Sequence, residues 1–317
     1  MDSLSNILKT WTQSTRSKQA EINIQQVFTD PLVQKFREKH PDVNEETIHI
    51  NRNKIYQFVV EHRNCSNCPG LELCPNDLPG HYTVLQVDKL EERPYIHEKK
   101  ISCKKFISKS NQDQISKRIH TFYIDPHVFN QSYSFEDILN KDMFRATAVN
   151  EITQYIEKTI EEGLQQKGMY LVGSFGTGKT FLMCYMLYQL AKVGLTGAIV
   201  YMPDFAEDLK SMFQDPQLMK ETIDLLKDTD MLVFDDIGAE NLNPWMRDHV
   251  MGAILNARMN RKPTFFTSNY ELDSLEKHFS FTNKDGDEKF KGQRIMDRIR
   301  PFVDVVVVKG SNQRGTV

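Results

Sequence analysis

The chain has 317 residues, 39% of them hydrophobic and 26% charged, with a formal net charge of −3; these proportions fit a folded globular protein and exclude fibrous or largely disordered classes. No apolar run reaches the roughly 18 to 20 residues that span a bilayer, and the start Met1-Asp2-Ser3-Leu4 lacks a signal pattern, so no membrane role is expected. The small charge gives no global attraction to nucleic acid, so DNA binding needs a local basic surface, and five cysteines without a secretion signal point to reduced thiols and a cytosolic address.

This length exceeds the roughly 100 to 200 residues of one domain, so two are expected. In the first third, Val27, Phe28, Leu32, Val33 and Phe36 recur at helical spacing. Ile48, Ile55, Phe58 and Val59 do so after the turn at Pro41, which predicts two short helices ahead of a cysteine-rich segment. Cys65 and Cys68 form a C-x₂-C knuckle, the usual half of a structural zinc site, and Cys74, His81, His97 and Cys103 are the available completions. A redox C-x-x-C is the competing reading, but no thioredoxin-like strand and helix pattern surrounds it. From Lys99 to Arg118 there are seven basic residues against one acidic residue, Asp113. After Cys103 the composition turns to Lys, Ser, Asn and Gln, which reads as a solvated linker before it reads as a DNA contact. The expected division is a zinc-binding unit over 1–108, a linker over 109–130 and a second domain over 131–317.

From Ser134 onward, long helical patterns alternate with short, wholly apolar runs, as in a parallel sheet covered on both faces. Phe144, Ala148, Ile152, Ile156 and Ile160 make one helical stripe. The predicted strands are Met169 to Val172, Ala198 to Met202, Met231 to Phe234, Thr264 to Thr267 and Val303 to Val308. Helices are expected to start near Lys179, Pro203, Pro216, Pro244, Leu272 and Phe290. Between the first of these strands and the helix after it, Gly173-Ser174-Phe175-Gly176-Thr177-Gly178-Lys179-Thr180 fits G-x-x-x-x-G-K-[ST]. The glycines let backbone N–H groups point at phosphates, and the helix N-terminus adds its dipole. Lys179 offers a point charge to the outer phosphates of ATP and Thr180 a hydroxyl to Mg²⁺. Cys184, among Leu182 and Met186 on that helix, reads as buried filler.

Met231-Leu232-Val233-Phe234-Asp235-Asp236 ends an apolar strand in two adjacent carboxylates, at the sheet edge where ligands of open parallel sheets bind. Asp235 is suited to hold the magnesium and Asp236, pointing the other way, to orient an attacking water; a pair of N-caps is the plain alternative. Asn269, closing Thr264-Phe265-Phe266-Thr267-Ser268-Asn269, is suited to sense the terminal phosphate or that water, with an Asx turn as its alternative. Arg294 and Arg298 are spaced i and i+4 on a short predicted helix that also carries Arg300, so both face one way. An arginine given across a subunit boundary stabilises charge in phosphoryl transfer, whereas a surface ion pair of Arg298 with Asp297 or Glu288 is the bland alternative.

Together these features resemble the AAA+ ATPases. Asp235-Asp236-Ile237-Gly238-Ala239-Glu240, Pro244-Trp245-Met246-Arg247-Asp248, Pro263-Thr264-Phe265-Phe266-Thr267-Ser268-Asn269 and Arg294-Ile295-Met296-Asp297-Arg298 resemble the bacterial helicase loaders of the DnaC/DnaI family, over nearly the whole chain. The transposition ATPases of the IstB type are more distant relatives. The resemblance implies an α/β fold: an AAA+ P-loop ATPase domain with a parallel sheet and no C-terminal helical lid, preceded by a small α-rich zinc-binding domain. It implies an ATP-dependent loader of the hexameric replicative DNA helicase onto single-stranded DNA, acting with other primosome proteins and self-associating through the ATP site. Asp236 stands where many relatives carry Glu, so weak or partner-stimulated hydrolysis is expected.

By motif, Arg298 matches the family's arginine finger with Arg294 beside it, and Arg314 resembles its terminal sensor arginine. The family's zinc pattern favours Cys65, Cys68, His81 and Cys103, with Cys74 as the alternative to His81. Helices over Pro203 to Lys227 correspond to ones that face DNA in the relatives, making Lys210 and Phe213 candidate single-strand contacts while Phe205 and Leu209 read as core. Two other functions stay open: a nucleotide-binding adaptor that does not hydrolyse ATP, and an IstB-like transposition helper, against which the zinc-type N-terminal unit argues.

Overall fold

The structure, a computed structural model, describes residues 29–90, 93–125, 129, 143–212, 214–282, 284 and 286–312. The chain divides into two units, Met1–Asn111 and Gln112–Val317.

In the first unit, Asp30 starts helix α1 (Pro31–Lys39) by accepting the Leu32 N–H at 2.8 Å, with Pro31 at the position that needs no donor. Asn44 caps α2 (Glu45–Ile50) in the same way through Thr47. Asn51 ends α2 and α3 (Arg52–Ser66) starts at once, so the described residues up to Ser66 hold three helices, the last carrying Cys65, where the apolar spacing suggested two. Val27 and Phe28 lie outside the described residues. An antiparallel hairpin follows, β1 (His81–Leu90) against β2 (Arg93–Ser102), in the register His81 opposite Ser102. Val33, Phe36, Ile48, Ile55, Val59, Leu85 and Ile96 form its core. Buried Glu61 pins α3 to the hairpin by accepting from Thr83 N at 2.6 Å, from Thr83 Oγ1 at 2.8 Å and from Lys100. Burial alone would raise its carboxyl, but the Lys100 and Thr83 donors more than reverse that and hold it below the usual range.

Residues 104–117, which the composition marks as linker, form helix α4 (Lys104–Lys117), and strand β3 (Ile119–Phe122) follows directly. The polar composition conceals the few residues that matter. Ile115 packs against the core, Gln112 accepts from the Tyr188 hydroxyl at 2.8 Å, and Arg118 donates to Ala191 O at 2.9 Å.

The second unit is built on a six-stranded sheet in the order β10-β4-β7-β6-β5-β3, parallel at every pairing. Its other strands are β4 (Gly168–Val172), β5 (Gly197–Tyr201), β6 (Met231–Asp235), β7 (Thr264–Ser268) and β10 (Val303–Val307). Alternate residues enter opposite layers: Met231 and Val233 pack with helices α5 (Ala146–Glu162) and α6 (Lys179–Lys192), while Leu232 and Phe234 pack on the other face. That second face carries α7 (Met202–Met212), α8 (Pro216–Asp228), a π-helical turn Met246–Met251 running into α9 (Gly252–Arg258), α10 (Leu272–Ser280) and α11 (Lys289–Met296). A short hairpin of β8 (Phe281–Thr282) and β9 (Gly286–Asp287) lies between α10 and α11. Phe205 and Leu209 of α7 are core, as expected. The α5 stripe is turned from the expected one: Ala148, Ile152 and Ile156 are buried with Val149 and Thr159, whereas Phe144 and Ile160 are exposed. Among the described residues no helix is long and apolar enough to cross a membrane.

Arg258 closes the bottom of this unit. Only 1% exposed, it donates to the backbone oxygens of Leu226, Lys227, Thr229, Asp230 and Pro263 and to Thr264 Oγ1, at 2.6 to 3.2 Å. It thus satisfies carbonyls left open where α8 ends. Burial lowers its guanidinium to about 10, yet charge and fork geometry suit so many acceptors. Arg258→Met is expected to lower the unfolding free energy by about 3–5 kcal/mol, read from denaturant titrations; a change under about 1 kcal/mol would show that water replaces the guanidinium.

Candidate active site

The loop after β4 wraps the start of α6. Gly178, the residue before that helix, has φ 92°, and Gly176 has φ 75°. A Cβ on Gly176 would sit 1.8 Å from Asn312 Oδ1, because the chain beyond β10 runs over the loop. Lys179, 8% exposed, donates to Gly173 O at 2.9 Å, Ser174 O at 3.0 Å and Asn269 Oδ1 at 2.8 Å. Asn269 in turn donates to Asp236 Oδ1 at 3.0 Å, so lysine, amide and carboxylate form one chain of contacts. Thr180 Oγ1 donates to Asp235 Oδ2 at 3.0 Å. Thr177 folds its hydroxyl onto Ser174 O at 3.0 Å inside the loop, and Phe175 at its tip is exposed.

Thr267 links the Asp235 carboxylate to the Asp236 backbone. Its Oγ1 donates to Asp235 Oδ1 at 2.7 Å and accepts the Asp236 N–H at 2.9 Å. That bond helps to hold Asp236 at φ 56°, a left-handed conformation open to Asp and Asn more than to other side chains. Burial pushes the Asp235 carboxyl above its ordinary value, opposed by the Thr267 and Thr180 hydroxyls and by Lys179 and reinforced by Asp236. A carboxylate so placed beside a threonine hydroxyl fits a magnesium ion, whose charge relieves the cost of burying the anion.

These groups line a cavity of about 430 Å³ together with Gly176, Gly178, Phe175, Thr267, Tyr123, Ile124 and Tyr201. Its donors and carboxylates can bind a polyphosphate, hold a divalent ion and position a water. The motif residues Gly173 to Thr180, Asp235, Asp236 and Asn269 are therefore gathered in one place. Thr267, Tyr123 and Tyr201 were not foreseen; for Thr267 the signal was its position one strand over from the paired aspartates.

The arginines stand apart from this cavity. Arg294 is exposed near the end of α11, while Arg298 lies in the turn beyond it and donates to Arg294 O at 2.5 Å. Both line a second cavity of about 290 Å³ with Asp248, His249, Gly252, Ala253, Asn256 and Ile295, and the buried Arg298 Nε has no partner. Of the two acids named as alternatives for Arg298, Glu288 pairs with Arg247 instead; Arg300 pairs with Asp273 and Glu276. Arg314 and Phe213 lie outside the described residues. Lys210 pairs with Glu207 one helical turn back.

In the first unit every cysteine of the cluster accepts an N–H. Asn76 Nδ2 reaches Cys65 at 3.7 Å, Lys105 reaches Cys68 at 3.4 Å, Gly80 N reaches Cys74 at 3.4 Å and Phe106 N reaches Cys103 at 3.4 Å. Burial first, and then the neighbouring Cys68, Cys103 and Cys74 thiols, push the Cys65 thiol up despite the opposing Asn76 contact. The Gly70 N–H and then Lys105 hold Cys68 down. His81 Nδ1 lies 3.1 Å from Pro79 O and its Nε2 2.9 Å from Ser102 Oγ, whereas His97 sits on the hairpin against Asp88 and Gln86. Among the described residues no three His, Cys, Asp or Glu side chains converge as a metal-holding group. The thiol sulfurs and the His81 ring are nonetheless of the donor types that structural zinc takes.

Comparison with known proteins gives matches at both ends. The family described as primosomal protein DnaI N-terminus matches residues 1–91, and the family described as IstB-like ATP binding protein matches residues 155–316. A curated protein of Bacillus subtilis, the replicative helicase loader DnaI, is 32% identical over 299 residues, 94% of each chain. A crystal structure of DnaI is 33% identical with a TM-score of 0.51, covering 63% of this chain and all of its own. A putative primosome component from Streptococcus pyogenes is 30% identical with a TM-score of 0.50, covering 64% of this chain and 99% of its own.

Proposed function

The chain belongs to the DnaI family of replicative helicase loaders, and from that membership we propose that it delivers a hexameric helicase to single-stranded DNA under the control of ATP. The observation that carries the ATP part is the contact chain Lys179–Asn269–Asp236 beside the Thr180–Asp235 pair. The loop amides from Gly173 to Thr180 and Lys179 hold the phosphates, while Thr180 and Asp235 hold Mg²⁺, which supplies charge neutralisation when bound. Asp236 orients the attacking water and Asn269 links it to the lysine that meets the terminal phosphate. The short Asp236 side chain favours slow turnover that a partner or DNA accelerates.

Arg294 and Arg298 do not face the chain's own phosphate loop, which supports their action on a neighbouring subunit's nucleotide, with Arg298 as the finger. The tail passes Gly176 at Asn312, two residues short of Arg314, which supports a sensor role for that arginine. Helices α7 and α8, with Lys210 exposed, would face the single strand. The unit ahead of residue 109, with zinc on Cys65, Cys68, His81 and Cys103, would grip the helicase; other primosome proteins would join this complex in the cytoplasm. His81 is preferred over Cys74 on the family's pattern; its Nδ1 lies beside Pro79 O, and a metal at Nε2 would displace the Ser102 hydroxyl 2.9 Å away.

The test is a loading assay with the full chain, its cognate helicase, circular single-stranded DNA and ATP. Helicase retained on DNA only when the chain and ATP are both present is the expected result; no dependence on the chain would overturn the loader reading. Asp236→Asn is expected to bind ATP normally and to lower DNA-stimulated hydrolysis by about 10²-fold or more. Equal turnover of variant and parent would instead mark a nucleotide-binding adaptor.

A further inference from the structure

Arg145 occupies an electrostatically odd position. It is 4% exposed and immediately precedes α5, a 17-residue helix, so a cation sits at the positive end of a helix dipole. A Cβ on Gly178 would lie 2.8 Å from Arg145 Nη1, and Gly178 precedes the 14-residue α6. The guanidinium therefore lies against the phosphate loop at the N-terminus of α6. The Arg145 Nε and Nη2 atoms are buried and have no hydrogen-bond partner. A buried, forked, unpaired cation is strongly disfavoured unless an anion reaches it, and the fork suits two phosphate oxygens.

We propose that Arg145 is a nucleotide-binding residue that donates from behind Gly178 to the α/β side of the bound polyphosphate. The inference rests on the nucleotide reading of the loop and adds to it a cation that no motif contains. The side follows from the division of labour: Lys179 and Thr180 address the outer phosphates and the metal, whereas the loop amides at Gly178 cradle the inner ones. A contact there is indifferent to the third phosphate.

Titration calorimetry of full-length parent, Arg145→Gln and Arg145→Lys with Mg-ADP and Mg-ATP tests this, alongside thermal unfolding without nucleotide. The glutamine variant is expected to bind both nucleotides about 10- to 100-fold more weakly, by the same factor for each, and the lysine variant to recover part of the loss. Its unfolding midpoint without nucleotide should be unchanged or higher, since an uncompensated charge has been removed. Unchanged affinity, a loss confined to ATP, or a lowered midpoint without nucleotide would each overturn the proposal, the last by showing a structural strut. If the parent itself bound neither nucleotide, the reading of the loop would fall first.

Discussion

Lys179→Ala is expected to weaken ATP and ADP binding by about 10²- to 10³-fold, the loss that follows when one partner of a desolvated, hydrogen-bonded charge pair is removed. The ammonium is almost fully buried and its donors meet Gly173 O, Ser174 O and Asn269 Oδ1. Removing it deletes the charge that the outer phosphates would meet and also releases Asn269, which steadies Asp236. Affinity and turnover should therefore fall together. Helicase capture through the first unit should persist, because no residue of that unit is altered. Calorimetry with Mg-ATP reads the affinity; a dissociation constant within about threefold of the parent would place the nucleotide elsewhere.

Removal of the proposed zinc is expected to unfold the first unit and leave the second intact. The small core of Val33, Phe36, Val43, Ile48, Ile55, Val59, Leu85 and Ile96 is what the unit can bury, and cores of that scale rarely supply more than about 3–5 kcal/mol. Structural zinc adds on the order of 10 to 16 kcal/mol in small metal domains. A chelator strong enough to compete should abolish the lower of two thermal transitions while the nucleotide-stabilised one stays. Metal analysis separates the ligands: Cys65→Ser and His81→Ala should lose zinc, and Cys74→Ser should keep it. One equivalent of zinc in His81→Ala and none in Cys74→Ser would exchange the two, and full stability of the parent with no zinc bound would remove the metal from the account.

What the sequence made legible follows from how local the physics is. The phosphate loop could be read because its glycines, lysine and threonine act through backbone turned by their own neighbours, and the flanking strand and helix were written in wholly apolar runs. Asp235, Asp236 and Asn269 could be read because strand ends in a parallel sheet share one edge. Thr267 was hidden, since its hydroxyl joins the Asp235 carboxylate to the Asp236 backbone N–H, a relation across β6 and β7 that spacing along the chain does not express. Arg145 was hidden for the same reason; its neighbour Gly178 is reached only through the packing of α5 against α6. The helical form of α4 was hidden for another reason: a helix that buries little through Ile115 and Gln112 carries a composition indistinguishable from a linker. The shifted face of α5 came from counting Phe144 into a helix that begins at Ala146.

The left-handed backbone at Asp236 bears on how this site could be altered. Asparagine accepts that conformation as readily as aspartate, so Asp236→Asn removes a charge and leaves the turn as it is. Glutamate does not share the preference. Lengthening the acid to quicken turnover would set the gain in reach against a turn that resists the new residue, so a faster variant calls for redesign of the β6 exit as well as its side chain.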